Sequence, residues 1–177
     1  MIAETLAPQI EGLHADAFGW ALHCCRHDSA LAEDVLQEAY AKLAHGRVRH
    51  EGAGAFKTWW FGVIRLTALE ELRRLGREKS RLLSFLQDWL PGGFLTADAG
   101  LQPGLQIELD EEAARIRRLL GQLPARQGEA LHLVFYQEMT VAEAAAAMRV
   151  SVGSARQHYE RGKRRLRELF EQEDANS

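Results

Sequence analysis

Three groups of residues have the types and spacing for chemistry. His23 and His27 stand four apart around the adjacent Cys24 and Cys25, and Asp34 stands four before Glu38. Side chains at i and i+4 share one face of a helix, so the first group resembles the start of a metal site and the second an acid–base pair. Neither is completed. A zinc site needs about four ligands, and no second Cys/His cluster supplies the remainder. Neighbouring cysteines point about 100° apart on a helix, where a ring between them would be strained, so they read as core or half-buried thiols. Asp34 and Glu38, without a pocket, read as a solvated acidic face. The sequence has no Gly-rich phosphate loop, HExxH, nucleophile elbow or kinase signature, and no enzymatic activity or cofactor is expected.

The third group suits recognition instead. In "SVGSARQHYERGKRRLRELF", residues 151–170, the helical period turns Ser154, Arg156, Gln157, His158, Arg161 and Arg165 wholly or partly outward, with Ser151 at the start. Val152, Ala155, Tyr159, Gly162 and Leu166 fall on the inward side. Arginine binds guanine with two hydrogen bonds and glutamine binds adenine, while serine and arginine also hold phosphates. A solvated Arg-rich helix in a protein interface is the plainer alternative on this stretch alone.

Charge along the chain favours localised contacts. The net charge of −3 resolves into −4 over residues 1–55, +4 over 56–81, −5 over 82–148, +5 over 149–168 and −3 in the tail. Two basic blocks alternate with acidic ones, unlike a protein that coats DNA without preference. The 177 residues, 46% hydrophobic and 27% charged, suffice for a sizeable core or two small domains. The early acids of "MIAETLAPQIEGLHADAF" do not suit a signal peptide. No stretch is apolar enough to span a membrane, so a cytoplasmic protein without membrane insertion is expected.

The elements that must position these residues are all helical. A first helix is predicted over residues 9–27 and a second from Asp28–Ser29, with Leu31, Val35, Leu36, Ala39, Tyr40 and Leu43 on its apolar side. "HGRVRHEGAG", with three glycines in residues 45–54, breaks the pattern. A third helix follows over 55–75, aromatic at its start and basic at its end, and the Pro-Gly-rich residues 84–104 form the best linker. Beyond it come an amphipathic helix, a helix begun at Pro124, and a helix over 141–148 opened by a T-x-x-E capping box at Thr140 and Glu143. Arg149 and Val150 make a tight turn, and Ser151 caps the last helix. A short helix, a tight turn and an Arg-rich helix make a helix-turn-helix. The four alanines 144–147 suit a close helix crossing.

These stretches together resemble a bacterial RNA polymerase sigma factor of the sigma-70 family, extracytoplasmic-function (group 4) type. The resemblance spans about residues 12–75 and 108–170. "ALAEDVLQEAYAKL" resembles the family's acidic helix, which implies that Asp34, Gln37 and Glu38 dock on the clamp of the polymerase β′ subunit. "FKTWWFGVIRLTALEELRRL" resembles its promoter-melting helix, and the stretch from "LLGQLPARQ" to "KRRLREL" its −35 reader. The implied domains are 1–83 (core docking and −10 melting), a linker at 84–107, and 108–173 (−35 reading). The resemblance departs at Leu66, where the family usually has Asn, and at Glu70, where it has Asp, so a different or weakly read −10 element is in view. Turn glycine, frequent in such motifs, is replaced by Arg149.

An opened strand needs a cationic surface for its backbone and rings for its unstacked bases. Lys57, Arg65, Arg73, Arg74 and Arg77 are the cations expected to serve it, and Trp60 the ring, with Trp59 and Phe61 mainly structural. The expected partners are the polymerase core, promoter DNA and an anti-sigma factor. The alternative is a sigma-like decoy that binds an anti-sigma factor without initiating transcription.

Overall fold

The computed structural model describes residues 8–52, 54–89 and 111–175. Among them every regular element is a helix. A helical turn over 8–12 leads into α1 (His14–Cys24), followed by α2 (Ser29–Ala44) and α3 (Phe56–Trp89). The second region holds α4 (Glu111–Gly121), α5 (Ala125–Leu131), a π-helical turn (His132–Tyr136), α6 (Val141–Met148) and α7 (Val152–Ala175).

The helix starts follow local chemistry. Asp28 caps α2 by accepting from the Leu31 N–H at 3.0 Å, satisfying one of the first-turn amides that lack a helical partner. At α6 both halves of the capping box form: Thr140 Oγ1 accepts from the Glu143 N–H at 3.2 Å, and Glu143 Oε2 accepts from the Thr140 N–H at 2.8 Å. Ser151 Oγ accepts from the Ser154 N–H at 3.1 Å and opens α7. The predicted single helix over 9–27 is instead broken at Leu13 and ends at Cys24. Arg26 and His27, at φ of 57° and 66°, then turn the chain into α2.

The third helix runs far beyond its predicted end near residue 75. Nothing between Leu75 and Trp89 breaks it except Gly76, which a helix tolerates at a cost of about 1 kcal/mol. Arg74 pairs with Glu71 and Glu78, each at 2.8 Å, at helical i,i+3 and i,i+4 spacing across that point. The backbone is therefore helical through residue 83, where the first domain was expected to close. Most of the expected linker, residues 90–107, lies outside the described residues.

Helices α1, α2 and α3 pack around Trp20, Val35, Leu36, Ala39, Trp60, Phe61 and Ile64. Trp20 Nε1 donates to the Phe61 carbonyl at 2.9 Å, giving the buried indole the partner it needs. This core continues without interruption into Ala130, Leu133, Met139, Ala144, Ala147 and Met148 of the second region. The two regions are thus clasped, chiefly by α3 against α6. The alanines make this approach close: Gly62 of α3 faces the Ala147 backbone, and a Cβ built there would stand 3.6 Å from its carbonyl oxygen. A smaller cluster of Leu119, Leu123, Leu131 and Leu169 holds α4, α5 and α7 together. The acidic tail also has a structural part, since Glu173 accepts from Arg115 at 2.8 Å and Arg118 at 3.1 Å.

Candidate nucleic-acid interface

The arginine-rich helix α7 stands on its inner face. Ala155 and Gly162 are buried, Tyr159 and Leu166 half-buried, and Gly162 lies against the Gln127 carbonyl and the Leu131 side chain of α5. Val152, expected to face inward, is 45% exposed instead. It sits in the first turn, ahead of the point where α7 crosses the other helices. The opposite face presents Arg156, Gln157, Arg161 and Arg165 to solvent, with Ser151 beside them and Ser154 and His158 half-buried. Gly153, Arg156, Gln157, Glu160, Arg161 and Arg164 line a shallow open surface groove there. Its chemistry is cationic and amide-bearing, suited to phosphates and base edges.

The turn ahead of α7 is made without glycine. Arg149 takes the left-handed conformation at φ 53° and ψ 51°, and the amides of Arg149 and Val150 bond back to Ala146 and Ala145 at 3.1 and 3.0 Å. A residue with a Cβ is held here at a cost of about 1–2 kcal/mol, yet the turn closes.

On α2, Asp34 and Gln37 are exposed and Glu38 half-buried, all on the side away from Val35, Leu36 and Ala39. Gln37 also borders a cavity of about 360 Å³ shared with His14, Phe18, Glu33, Leu36 and Tyr40. The face is acidic with an apolar floor, which suits a basic protein surface rather than DNA.

The basic block on α3 divides. Arg73, Arg74 and Arg77 are exposed, Arg74 being engaged with Glu71 and Glu78. The other three expected strand-holding residues are turned inward. Trp60 is fully buried between Tyr40 and Phe56, which corrects the expectation that it faces outward. Trp59 is the half-exposed ring, in tilted contact with His50 of the glycine-bearing loop at 5.2 Å. Three successive large rings must share the circumference of one helix, and the core of three helices lies on the side of Trp60 and Phe61. Lys57 reaches Asp16 at 3.0 Å and donates to the Gln137 carbonyl of the second region at 3.2 Å. Arg65 is 4% exposed, its Nε 3.1 Å from Glu129 Oε2 of α5. That Nε lacks a well-aligned hydrogen bond, so the contact is mainly coulombic.

Sequence reasoning missed this contact because Arg65 and Glu129 lie on different regions, and nothing in either stretch announces its partner. It also missed a histidine cluster between the regions. His132 packs in tilted contact with Trp20 and His23, with ring centroids 5.2 and 4.8 Å away, and Gly128 of α5 abuts the His23 ring. Burial, and then the neighbouring His27, lowers the His23 pKa to about 4; burial and then His23 lower that of His132 to about 3. Burial likewise pushes Cys25 up to about 12 and Cys24 well above the usual thiol range, leaving both unreactive. The departure at Glu70 has a local partner: Lys42 of α2 bonds its carboxylate and the Thr67 hydroxyl.

Such a fold defines a class, an all-α protein of two helical regions whose second ends in a helix-turn-helix. Comparison with known proteins narrows it. The sigma-70 region 2 family matches residues 10–78, and sigma-70 region 4 matches residues 113–166. The chain is 30% identical over 142 residues to the ECF RNA polymerase sigma factor SigF of Caulobacter vibrioides, covering 80% of this chain and 72% of that protein. It is 27% identical over 171 residues to SigX of Bacillus subtilis, covering 95% and 84% respectively. Its fold is similar to the sigma factor RpoE in its complex with the anti-sigma factor NepR from Bartonella quintana, with a TM-score of 0.65, 22% identity and coverage of 95% and 98% of the two chains. It is also similar to CnrH in complex with the cytosolic domain of CnrY, with a TM-score of 0.61, 20% identity and coverage of 96% and 88%. The chain belongs to the sigma-70 family and is an RNA polymerase sigma factor of the extracytoplasmic-function type. No described helix is long and apolar enough to cross a membrane.

Proposed function

We propose that this sigma factor docks on the polymerase core through Asp34, Gln37 and Glu38, reads a −35 duplex with the outward face of α7, and holds an opened −10 strand with α3. The observation that carries this reading is the separation of two cationic faces, on α7 and on the middle of α3, from the acidic face of α2. In the −35 step, Arg156 and Gln157 meet base edges, while Ser151, Ser154, His158, Arg161 and Arg165 fix register on the backbone. In the −10 step, Arg73, Arg74 and Arg77 receive the strand first. Lys57 and Arg65 join after the two regions separate, because both are now engaged across the contact between them. Trp59 replaces Trp60 as the ring for an unstacked base.

The same engagement favours a second reading, a decoy that stays closed and only binds an anti-sigma factor. An anti-sigma partner belongs to either reading, because the structurally similar RpoE was captured with the anti-sigma factor NepR. Purified core enzyme, this chain and a promoter library decide between them. Specific initiation supports the first reading. Binding to an anti-sigma factor with no transcript from any promoter supports the decoy.

A further inference from the structure

The contact between the two regions is assembled from unusual parts. Trp20 of α1 forms a three-ring cluster with two imidazoles, His23 at 5.6 Å on its own helix and His132 at 5.2 Å from the π-helical turn, and the imidazoles themselves are 4.8 Å apart across the contact. The Gln137 amide nitrogen stands 3.3 Å from His132 Nε2, an arrangement in which the neutral ring accepts. On the other side His23 meets the Gly128 backbone, where even a Cβ would stand only 3.2 Å from its ring. A cavity of about 370 Å³ beside the cluster is bordered by His23, His27, Leu72, Leu120 and Glu129, and so runs between the regions.

We propose that His23 and His132 make this contact a proton-released lock: neutral imidazoles hold the regions together, and protonation on mild acidification separates them. Among the described residues the charged surroundings leave little to compensate an imidazolium. Glu129 of α5 borders the same cavity as His23, and Arg65 of α3 and Arg126 of α5 stand beside that carboxylate. Glu129 is the carboxylate at hand, and both arginines already share it, at 3.1 and 3.4 Å. From α1 and the turn after it come Cys24, Arg26 and His27, and from the π-helical turn comes Tyr136. None of these adds a free negative charge, since both thiols are held protonated.

The sign follows from linkage. Both ring pKa values are depressed in the closed form, to about 4 and about 3. In the separated form the rings return to water and the ordinary value of about 6.5. Between those limits the open form binds more protons, so closure is strongest above about pH 6.5 and weakens as pH falls. From pH 7.5 to 5.5 the closed-to-open ratio drops about tenfold for each histidine, about a hundredfold for both.

The test uses the free full-length chain and needs neither core enzyme nor DNA, so it can fail without touching the proposed transcription function. Small-angle X-ray scattering is recorded at pH 7.5 and 5.5, with far-ultraviolet circular dichroism to show that the helices persist. The wild type is expected to expand at pH 5.5, and the His23→Gln/His132→Gln variant to keep one profile at both pH values. A wild type that stays compact, or an acid expansion equally large in the variant, overturns the proposal. If the double variant is already expanded at pH 7.5, histidine NMR titration of the wild type decides. Rings that protonate in step with expansion support the lock, and rings that titrate near pH 6.5 while the chain stays compact overturn it.

Discussion

Two exposed arginines on neighbouring elements do opposite things at the residue scale. Arg156 presents its guanidinium to solvent from the first turns of α7. Each good two-point base contact is worth about 1–3 kcal/mol of discrimination. Arg156→Ala and Gln157→Ala are expected to flatten preference at the upstream promoter element by that amount, measured by binding to duplexes altered one base pair at a time. Arg149, only seven positions earlier, is a conformational cost: it sits at φ 53° where glycine would sit freely. Arg149→Gly is expected to raise stability by about 0.5–1 kcal/mol, read from the urea midpoint. A drop in stability would mean that its side chain contributes more than its backbone costs.

At the scale of elements, α7 is held against α5 by the absence of a side chain. A Cβ at Gly162 would lie 3.1 Å from both the Gln127 carbonyl oxygen and Leu131. Backbone cannot move aside as a side chain can, so Gly162→Ala is expected to cost about 1–3 kcal/mol in urea or thermal unfolding. The start of α6 is pH-dependent. Hydrogen bonds from the Thr140 hydroxyl and N–H lower the Glu143 pKa below its ordinary 4.5. The cap's stabilisation is therefore present above about pH 4.5 and is lost as the carboxylate protonates below it. Thr140→Ala is expected to lower stability by about 1 kcal/mol near neutral pH, and by less in acid.

These elements also show what the sequence makes legible. Asp28, Thr140 with Glu143, and Ser151 act through bonds to residues three positions away, so the pattern of a few letters suffices to place α2, α6 and α7. The outward face of α7 follows from period alone. The length of α3 does not, because its extension past Leu75 depends on no breaker appearing rather than on a signal that one can read. Trp60 was misplaced for a related reason. Periodicity tells that rings on one turn diverge, but only the position of α1 and α2 tells which of them meets the core. Arg65 with Glu129, and His23 with His132, pair across more than sixty positions for the former. Such contacts exist only once the two regions meet.

For the whole molecule, the meeting of the regions is the dominant feature, and its weakest part is its most polar. A buried ion pair offsets little of its own desolvation, but removing one partner leaves a stranded charge at a cost of about 3–5 kcal/mol. Glu129→Gln strands Arg65 in this way. It is expected to loosen the regions at neutral pH, seen as an expanded scattering profile and faster proteolysis between them, while each region keeps its helices. An unchanged profile would show that the apolar contact of α3 with α6 suffices without the pair.

The two DNA-facing surfaces of the proposed function are unequally available in this arrangement. The recognition side of α7 looks outward while Arg65 is shut away behind Glu129. The consequence is an order of events. Under the proposed function, a chain in this state can sample duplexes and leave again cheaply, but offers an opened strand only Arg73, Arg74 and Arg77 while Lys57 and Arg65 are withheld. On that reading commitment waits for the halves to part, so that inspection precedes irreversible work.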